Sequence, residues 1–400
     1  MKLLFLITSL HNGGAERALS NMSLNFPGNV EHTVLLNKRY EDEYPFRGDI
    51  RTLGIDEDFK MSLWFQLKVF LRRMRALRQE KQNGGYQACI SFMESSNFAN
   101  ILSGRKHCKV IVSVRTDYRD AKSKIFKWIV VPLAGILYRR ADAIAVISEG
   151  IRENLINNLH LDGNRIYVIY NVFPVQQLRE QAKVPIENDD LIQYMRDSFV
   201  YVNMGRLEAP KGQGNLIRAF SVVARRCDKA KLIIMGKGKE QEYLEKVISA
   251  YGLEDRVRIL PFQSNPHQIL SACDAYVFPS LWEGFGNALC EALICGLPCI
   301  ASDCRSGPRE ILAPHTDVTH HNKYEIEYAE YGILTPVCSG IKQTQQTALE
   351  REEELLAEAM TGLYEDKELY ARYQKAAEKR AAQFDVKSVM QQWTDLVHGV

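Results

Sequence analysis

The 400 residues are 46% apolar and 25% charged, with 25 Gly and 13 Pro. This is globular composition with material for about two or three domains, and it excludes long-range disorder and collagen-like or Pro-rich repeats. The formal net charge of +2 hides an asymmetry: residues 1–180 hold 26 Lys and Arg against 18 Asp and Glu (+8), and the remainder 25 against 31 (−6). Such a mild basic excess points the first half toward an anionic partner without demanding nucleic acid.

The chain opens MKLLFLITSL, a short apolar run with one Lys. No small-residue cleavage site follows it, so it reads as a first buried strand rather than a signal peptide. Apolar runs at Leu3–Ile7, Thr33–Leu36, Ala88–Phe92, Val110–Val114, Ala143–Ile147 and Ile166–Ile169 predict buried parallel strands. Helical segments alternate with them. The clearest spans 61–81, where Leu63, Leu67, Phe70, Met74 and Leu77 form a stripe predicted to face a core. Lys68, Arg72 and Arg75 step along another face of the same helix. The longest other apolar run, Trp128–Leu137, falls short of the roughly 20 residues that cross a bilayer.

A polar stretch, Gln176–Asp197, carries Pro185 and an acidic run and reads as an interdomain connection. Strands restart at Phe199–Met204, Lys231–Met235, Val257–Leu260, Ala275–Phe278 and Pro298–Ala301, with helices near 211–226, 239–251, 265–272 and 287–295. Two strand–helix series predict two doubly wound α/β sheets, with ligands at the carboxyl ends of the strands and a cleft between the domains. From about 345 the chain reads as helix, exposed over 345–383, and the last helix, 386–398, is expected to return to the first domain.

The strongest chemical signal is Ser280-Leu-Trp-Glu-Gly-Phe-Gly-Asn-Ala-Leu-Cys-Glu-Ala-Leu. Gly284 and Gly286 free the backbone behind Glu283 for close approach of a ligand. The helix opening near Asn287 offers amides and a dipole to an anion such as a diphosphate. Glu291 lies about one turn into that helix. The two carboxylates therefore belong to different parts of one elongated ligand, not to the close acid pair of a retaining glycosidase. The second signal is Met204-Gly-Arg-Leu-Glu-Ala-Pro-Lys-Gly, between a strand and a helix. Arg206 and Lys211 are its cations, and the order of residues is not that of a P-loop. The third is Gly13-Gly14, between the first strand and first helix; Gly236-Lys-Gly238 is a similar turn. Each also reads as an ordinary strand–turn–helix corner.

Together the E-x7-E pair in EGFGNALCEA, the GRLEAPKG loop, the MGKGKE turn and the GGAER opening resemble a family 4 glycosyltransferase of the GT-B fold, in order and over nearly the whole chain. The resemblance is to the branch building lipid-linked oligosaccharides and bacterial surface polysaccharides. It implies an N-terminal acceptor-side domain over 1–180 plus 386–400, and a C-terminal nucleotide-sugar domain over 181–385. It implies retaining transfer from a nucleotide-diphosphate sugar, most often a UDP-sugar, with no metal or other cofactor. Arg206 and Lys211 would neutralise the diphosphate. Glu283 would hold donor-sugar hydroxyls, aided by the amides of Gly284, Phe285, Gly286 and Asn287. Glu291 would bind the ribose, Gly13 and Gly14 would let a loop approach the phosphate, Gly236 would border the site, and Pro261 and Phe262 would contact the base. Many relatives carry a His after the fourth strand of the first domain; here Arg115 stands there, which makes it a candidate contact for an acceptor phosphate.

Residues 60–81 carry seven Lys and Arg and one acid, and residues 105–127 carry eight and two. Arg72, Arg75, Arg78, Arg115 and Arg119 are thus candidates for an acceptor pyrophosphate or an anionic lipid surface, against the plainer reading of a solvated helix face. The expected partners are a nucleotide sugar, a glycan or polyprenyl-diphosphate-linked saccharide, and a membrane surface, but no nucleic acid. The expected location is cytoplasmic, peripheral on the inner face of the cell membrane. Nine Cys without a C-x-x-C pair read as reduced thiols, and His315, His320 and His321 as loop residues rather than metal ligands. Two further readings are a GT-B UDP-sugar epimerase and a non-catalytic nucleotide-sugar-binding protein. The second would be marked by loss of Glu283, Arg206 or Lys211, and all three are present.

Overall fold

The computed structural model describes residues 1–11, 13–55, 63–120 and 124–399. Lys60, Lys122, the expected helix start at 61–62 and the side chain of Leu63 lie outside the described residues. The chain divides into two units, Met1–Phe173 with Asp385–Val400, and Pro174–Phe384.

The first unit runs β1 (Lys2–Leu6), α1 (Gly14–Asn25), β2 (Glu31–Leu36), β3 (Asp49–Thr52), α2 (Leu63–Asn83), β4 (Ala88–Phe92), α3 (Glu94–Leu102) and β5 (Lys109–Val114). A π-helical turn, Phe126–Val130, leads into α4 (Val131–Leu137), followed by β6 (Ala143–Val146), α5 (Glu149–Leu159) and β7 (Ile166–Val168). The seven strands are parallel in the order β3-β2-β1-β4-β5-β6-β7. Successive side chains of a strand point to opposite faces, and β1 shows why it is apolar from Leu3 to Leu6. Leu3 and Phe5 enter one core, while Leu4 and Leu6 enter another with Leu77 of α2 and Ala99 of α3. The edge strand β3 escapes an apolar-run reading because its sequence is Asp-Ile-Arg-Thr, polar as an exposed edge tolerates.

α2 departs from its predicted stripe. Leu77 is buried, Phe70 and Met74 are half-buried, and Leu67 is exposed beside Trp64 and Phe65. Its cations divide as well. Arg73 is buried and donates to the Ser95 and Ser96 hydroxyls, and Lys81 donates to the carbonyls of Asn100 and Gly104 at the end of α3. Lys68, Arg72, Arg75 and Arg78 are exposed.

The second unit begins with two short helices, α6 (Val175–Ala182) and α7 (Asp189–Met195), where the polar composition suggested a linker. Asn188 caps α7, its side chain accepting from the Leu191 amide, and Leu178, Leu191 and Tyr194 are buried. These few apolar anchors tie the stretch to the second unit. Then come β8 (Phe199–Met204), α8 (Gln213–Arg226), β9 (Ala230–Met235), α9 (Gln241–Ala250), β10 (Val257–Leu260), α10 (His267–Leu270), β11 (Ala275–Phe278), α11 (Asn287–Ile294), β12 (Cys299–Ser302) and α12 (Pro308–Leu312). β13 (Glu327–Tyr328), β14 (Ile333–Thr335), α13 (Arg351–Glu365) and α14 (Lys367–Ala381) follow. The sheet order is β10-β9-β8-β11-β12-β14-β13, parallel except for the β13–β14 pair. α15 (Val386–Gly399) belongs to the first unit, where Met390, Trp393, Leu396 and Val397 join the core of Leu3 and Phe5.

α13 is not the exposed helix its charge suggested. Leu356, Ala357, Ala359, Met360 and Leu363 pack on the second sheet with α8. Arg218 of α8 meets Glu353 through Nε···Oε1 at 2.8 Å and Nη2···Oε2 at 2.9 Å, with both side chains almost wholly buried. Asn215 adds a 2.8 Å bond to the same carboxylate, and Tyr251, Thr347 and the Ala348 carbonyl take the remaining guanidinium hydrogens. Truncating one partner leaves a buried charge uncompensated. Glu353→Ala is therefore expected to destabilise the protein by about 3–5 kcal/mol, to be read as a fall in the urea midpoint of the second unit. An unchanged midpoint would show that the pair contributes nothing.

Candidate active site

In the second sheet the chain moves outward from β8 through β9 to β10, then restarts on the other side of β8 with β11. The loops after β8 and β11 thus diverge from adjacent strands, the place where open parallel sheets leave a crevice for ligands. Gly205–Gly212 and Pro279–Gly286 are those loops. The Leu281 amide donates to the Pro210 carbonyl at 2.8 Å. Gly212 has φ +63°, and a Cβ there would stand 2.0 Å from the Pro279 carbonyl oxygen, so only glycine allows this approach. The stitched loops bring Lys211 Nζ to 2.5 Å from Glu283 Oε1, with side chains 22% and 11% exposed. The Ser280 hydroxyl donates to the same oxygen at 2.7 Å, and the Ser302 hydroxyl donates to the Ser280 carbonyl. Lys211 also lies 5.8 Å from the Phe278 ring centroid.

Other expected site residues gather around this pair to different degrees. Gly236, after β9, packs so closely that a Cβ would sit 1.9 Å from the Gly205 carbonyl oxygen. Gly284 is half-buried, Phe285 is buried, and Gly286 enters α11 with φ +108°, leaving Asn287 as its first residue. Glu291 is buried beside the His267 ring, Nε2···Oε2 3.3 Å. The two glutamates therefore have separate partners. Arg206 is exposed and pairs with Glu208 at 3.3 Å. Pro261 and Phe262 follow the edge strand β10 and are exposed. Ser280 stands inside the motif noted from sequence, yet its service to Glu283 is visible only once the turn is built. No spacing rule connects His267 to Glu291.

The first sheet has its own divergence between β1 and β4. Gly13 precedes α1 and Gly14 is its first residue. The Glu16 carboxylate folds back against Gly13, where a Cβ would stand 1.8 Å from Oε2. Burial raises the Glu16 carboxyl above its ordinary value, opposed by amides at the start of α1 and by Arg115. Arg115 donates to Asn171 Oδ1 and to Ser113 Oγ at 3.3 Å, over the Phe92 ring. Burial pulls its guanidinium down to about 10, with Glu16 opposing. Arg119 is committed to Asp117, at 2.6 Å for Nη2···Oδ2, and donates to the Gly150 carbonyl. Among the described residues, no group of three or more His, Cys, Asp or Glu is placed to hold a metal ion. His315 pairs instead with Glu330 at 2.7 Å, and the nine thiols are free, eight of them buried.

The profile of glycosyltransferase family 4 matches residues 12–177, and that of glycosyl transferases group 1 matches residues 192–333. An uncharacterized glycosyltransferase of Methanocaldococcus jannaschii is 34% identical over 388 residues, covering 91% of this chain and 94% of its own. The chain belongs to glycosyltransferase family 4. A Campylobacter jejuni relative, N-acetylgalactosamine-N,N'-diacetylbacillosaminyl-diphospho-undecaprenol 4-alpha-N-acetylgalactosaminyltransferase, is 27% identical to this glycosyltransferase, with 96% of each chain covered. Among solved structures, Anabaena Alr3699/HepE in complex with UDP-glucose superposes with a TM-score of 0.75 at 22% identity, covering all of both chains. WaaG, a glycosyltransferase involved in lipopolysaccharide biosynthesis, gives 0.69 at 13% identity, again covering both chains entirely. The fold is GT-B.

The glycosyltransferase braces the strand end beside its site with a second buried charge cluster. Arg309 donates to Asp303 at 2.6 Å and to Glu327 at 2.6 Å. Burial would raise the Asp303 carboxyl, but His321, Arg309 and the Asn322 amide outweigh it and hold it below the ordinary value. The ionised form is thus the one the fold prefers. Its stabilisation is complete above the unfolded-state pKa and is lost as pH falls through the lower folded value. Asp303→Asn should therefore cost stability at neutral pH, with the gap to wild type closing on acidification below the ordinary carboxylate range. Paired melting curves across pH test this; a gap that stays constant into acid would contradict it.

Proposed function

We propose that this glycosyltransferase moves a sugar, with retention of configuration, from a nucleotide-diphosphate donor, a UDP-sugar, to a hydroxyl of a glycan or polyprenyl-diphosphate-linked saccharide in bacterial surface polysaccharide assembly. The Lys211–Glu283 pair carries the reading. An ammonium and a carboxylate fixed on two facing loops match the two ends of a diphosphate-sugar, one for phosphate oxygens and one for sugar hydroxyls. Alr3699/HepE bound to UDP and glucose and the undecaprenol-linked acceptor in the Campylobacter relative's name support donor and acceptor class.

The chemistry follows from where charge develops. Breaking the sugar–phosphate bond leaves negative charge on the departing diphosphate. Lys211, the α11 amides from Asn287 onward and a reoriented Arg206 stabilise it there. These cations take the place a metal would fill, so no metal is required. Glu283, held by Lys211 and Ser280, is set to orient sugar hydroxyls rather than to attack carbon. A leaving oxygen then takes the acceptor proton on the same face, which preserves configuration. Glu291, with His267 behind it, would take the ribose, and Phe262 the base. Gly13 and Gly14 would admit a loop to the phosphate. Arg115 and the exposed Arg72, Arg75 and Arg78 of α2 would meet acceptor phosphates and anionic headgroups, on a cytoplasmic enzyme peripheral to the inner face of the membrane.

A thermal-shift panel of UDP-, GDP- and ADP-sugars is expected to single out UDP compounds, and transfer with the best of them should survive EDTA. Lys211→Ala and Glu283→Ala should each abolish transfer while leaving the fold intact. Near-normal turnover in both variants would remove the site assignment. Reversing the charge of Arg72, Arg75 and Arg78 together should weaken binding to anionic vesicles at low salt; unchanged binding would return that face to ordinary surface.

A further inference from the structure

The segment after β5 carries an apolar face on its outside. The π-helical turn and α4 bury Ala134 and Leu137, and Phe126 lies 5.5 Å from the Tyr118 ring. Ile125, Trp128, Ile129, Pro132, Leu133 and Ile136 are all exposed. Their spacing of three and four residues lays them along a single stripe, the side a surface helix normally keeps polar. Trp128 is 79% exposed, Ile125 68% and Ile136 63%. No polar side chain interrupts the stripe, and exposed cations bracket it: Lys124 and Lys127 at one end, Arg139 and Arg140 at the other. α2 packs against α3, and so does α4. The apolar start of α2, with Trp64 76% exposed, and its exposed Arg72 and Arg75 therefore lie on the same side of the first sheet.

We infer that this stripe is a lipid-inserting face, which seats α4 in the headgroup–acyl boundary of an anionic bilayer with Trp128 as its anchor. An aliphatic and aromatic stripe edged by Lys and Arg is complementary to a layer that is apolar inside and anionic at its rim. No helix among the described residues is long and apolar enough to cross a membrane, so the contact is an in-plane one. The basic face of α2 supplies attraction at a distance; the stripe supplies the short-range hold, which salt does not screen. The inference gives the proposed transferase the surface on which a lipid-linked acceptor resides. It rests on that proposal for its purpose, though not for the binding itself.

The test is co-sedimentation with vesicles of equal parts phosphatidylcholine and phosphatidylglycerol, at low and at high salt. Wild type should bind at both, more weakly at high salt. The variant Trp128→Ser/Ile129→Ser/Ile136→Ser should lose about tenfold or more in partitioning at high salt and keep its melting temperature and its UDP binding. Nitroxide-labelled acyl chains should quench wild-type fluorescence more than that of Trp128→Phe. Equal partitioning of wild type and triple variant would overturn the inference. So would a wild-type dimer that the triple variant dissolves, since a second copy would then cover the stripe. Loss of UDP binding in the wild type would strike the donor reading and leave this surface standing.

Discussion

Two loops that leave adjacent parallel strands in opposite directions must either stay apart or be stitched together, and in this glycosyltransferase they are stitched. Gly212 permits contact with the Pro279 carbonyl, Leu281 bonds to Pro210, and the charge pair of Lys211 and Glu283 spans the seam. Everything proposed about the donor depends on that seam. It fixes an ammonium and a carboxylate against each other on rigid backbone, with Ser280 and Ser302 holding the carboxylate side. Groups fixed before the reaction need no reorganisation as charge builds on the leaving group. The fixed pair also separates their roles, because a carboxylate already engaged by an ammonium and a hydroxyl is a better holder of hydroxyls than a nucleophile.

The buried charges elsewhere do a different task. Arg218 with Glu353, and Arg309 with Asp303 and Glu327, join helices and loops of the second unit to one another. Arg73 and Lys81 on α2 close the ends of α3. A helix dense in cations is thus two populations. The inward ones are hydrogen-bonded to hydroxyls and carbonyls and belong to the fold, and the outward ones remain available to a phosphate or a headgroup. Arg119, held by Asp117, has joined the first population.

Strand runs were legible because parallel strands covered on both faces must be apolar almost throughout, as β1 is from Leu3 to Leu6 and β4 is but for Ser91. Two of the four edges, β3 and β13, were not legible because they carry charge beside an open side, whereas the edges β7 and β10 kept enough apolar sequence to be read. Helices α6 and α7 hid in polar sequence because three buried side chains suffice to anchor them. α13 read as exposed because a one-dimensional pattern cannot show that Glu353 has an arginine waiting in the core. The candidate site showed the same division. Glu283 and Lys211 were readable from glycine-rich corners after strands, whereas the Ser280 and His267 contacts arise from chain reversals that no local spacing encodes. The outward setting of Arg206 was equally illegible, because Glu208 competes for it only in the folded turn.

Calorimetry of UDP and of the preferred UDP-sugar, on wild type, Lys211→Ala and Glu283→Ala, divides the pair into its two proposed halves. The account predicts that Lys211→Ala weakens both ligands, whereas Glu283→Ala binds UDP normally and loses only the increment that the sugar adds. Wild-type affinity for both ligands in both variants would contradict it.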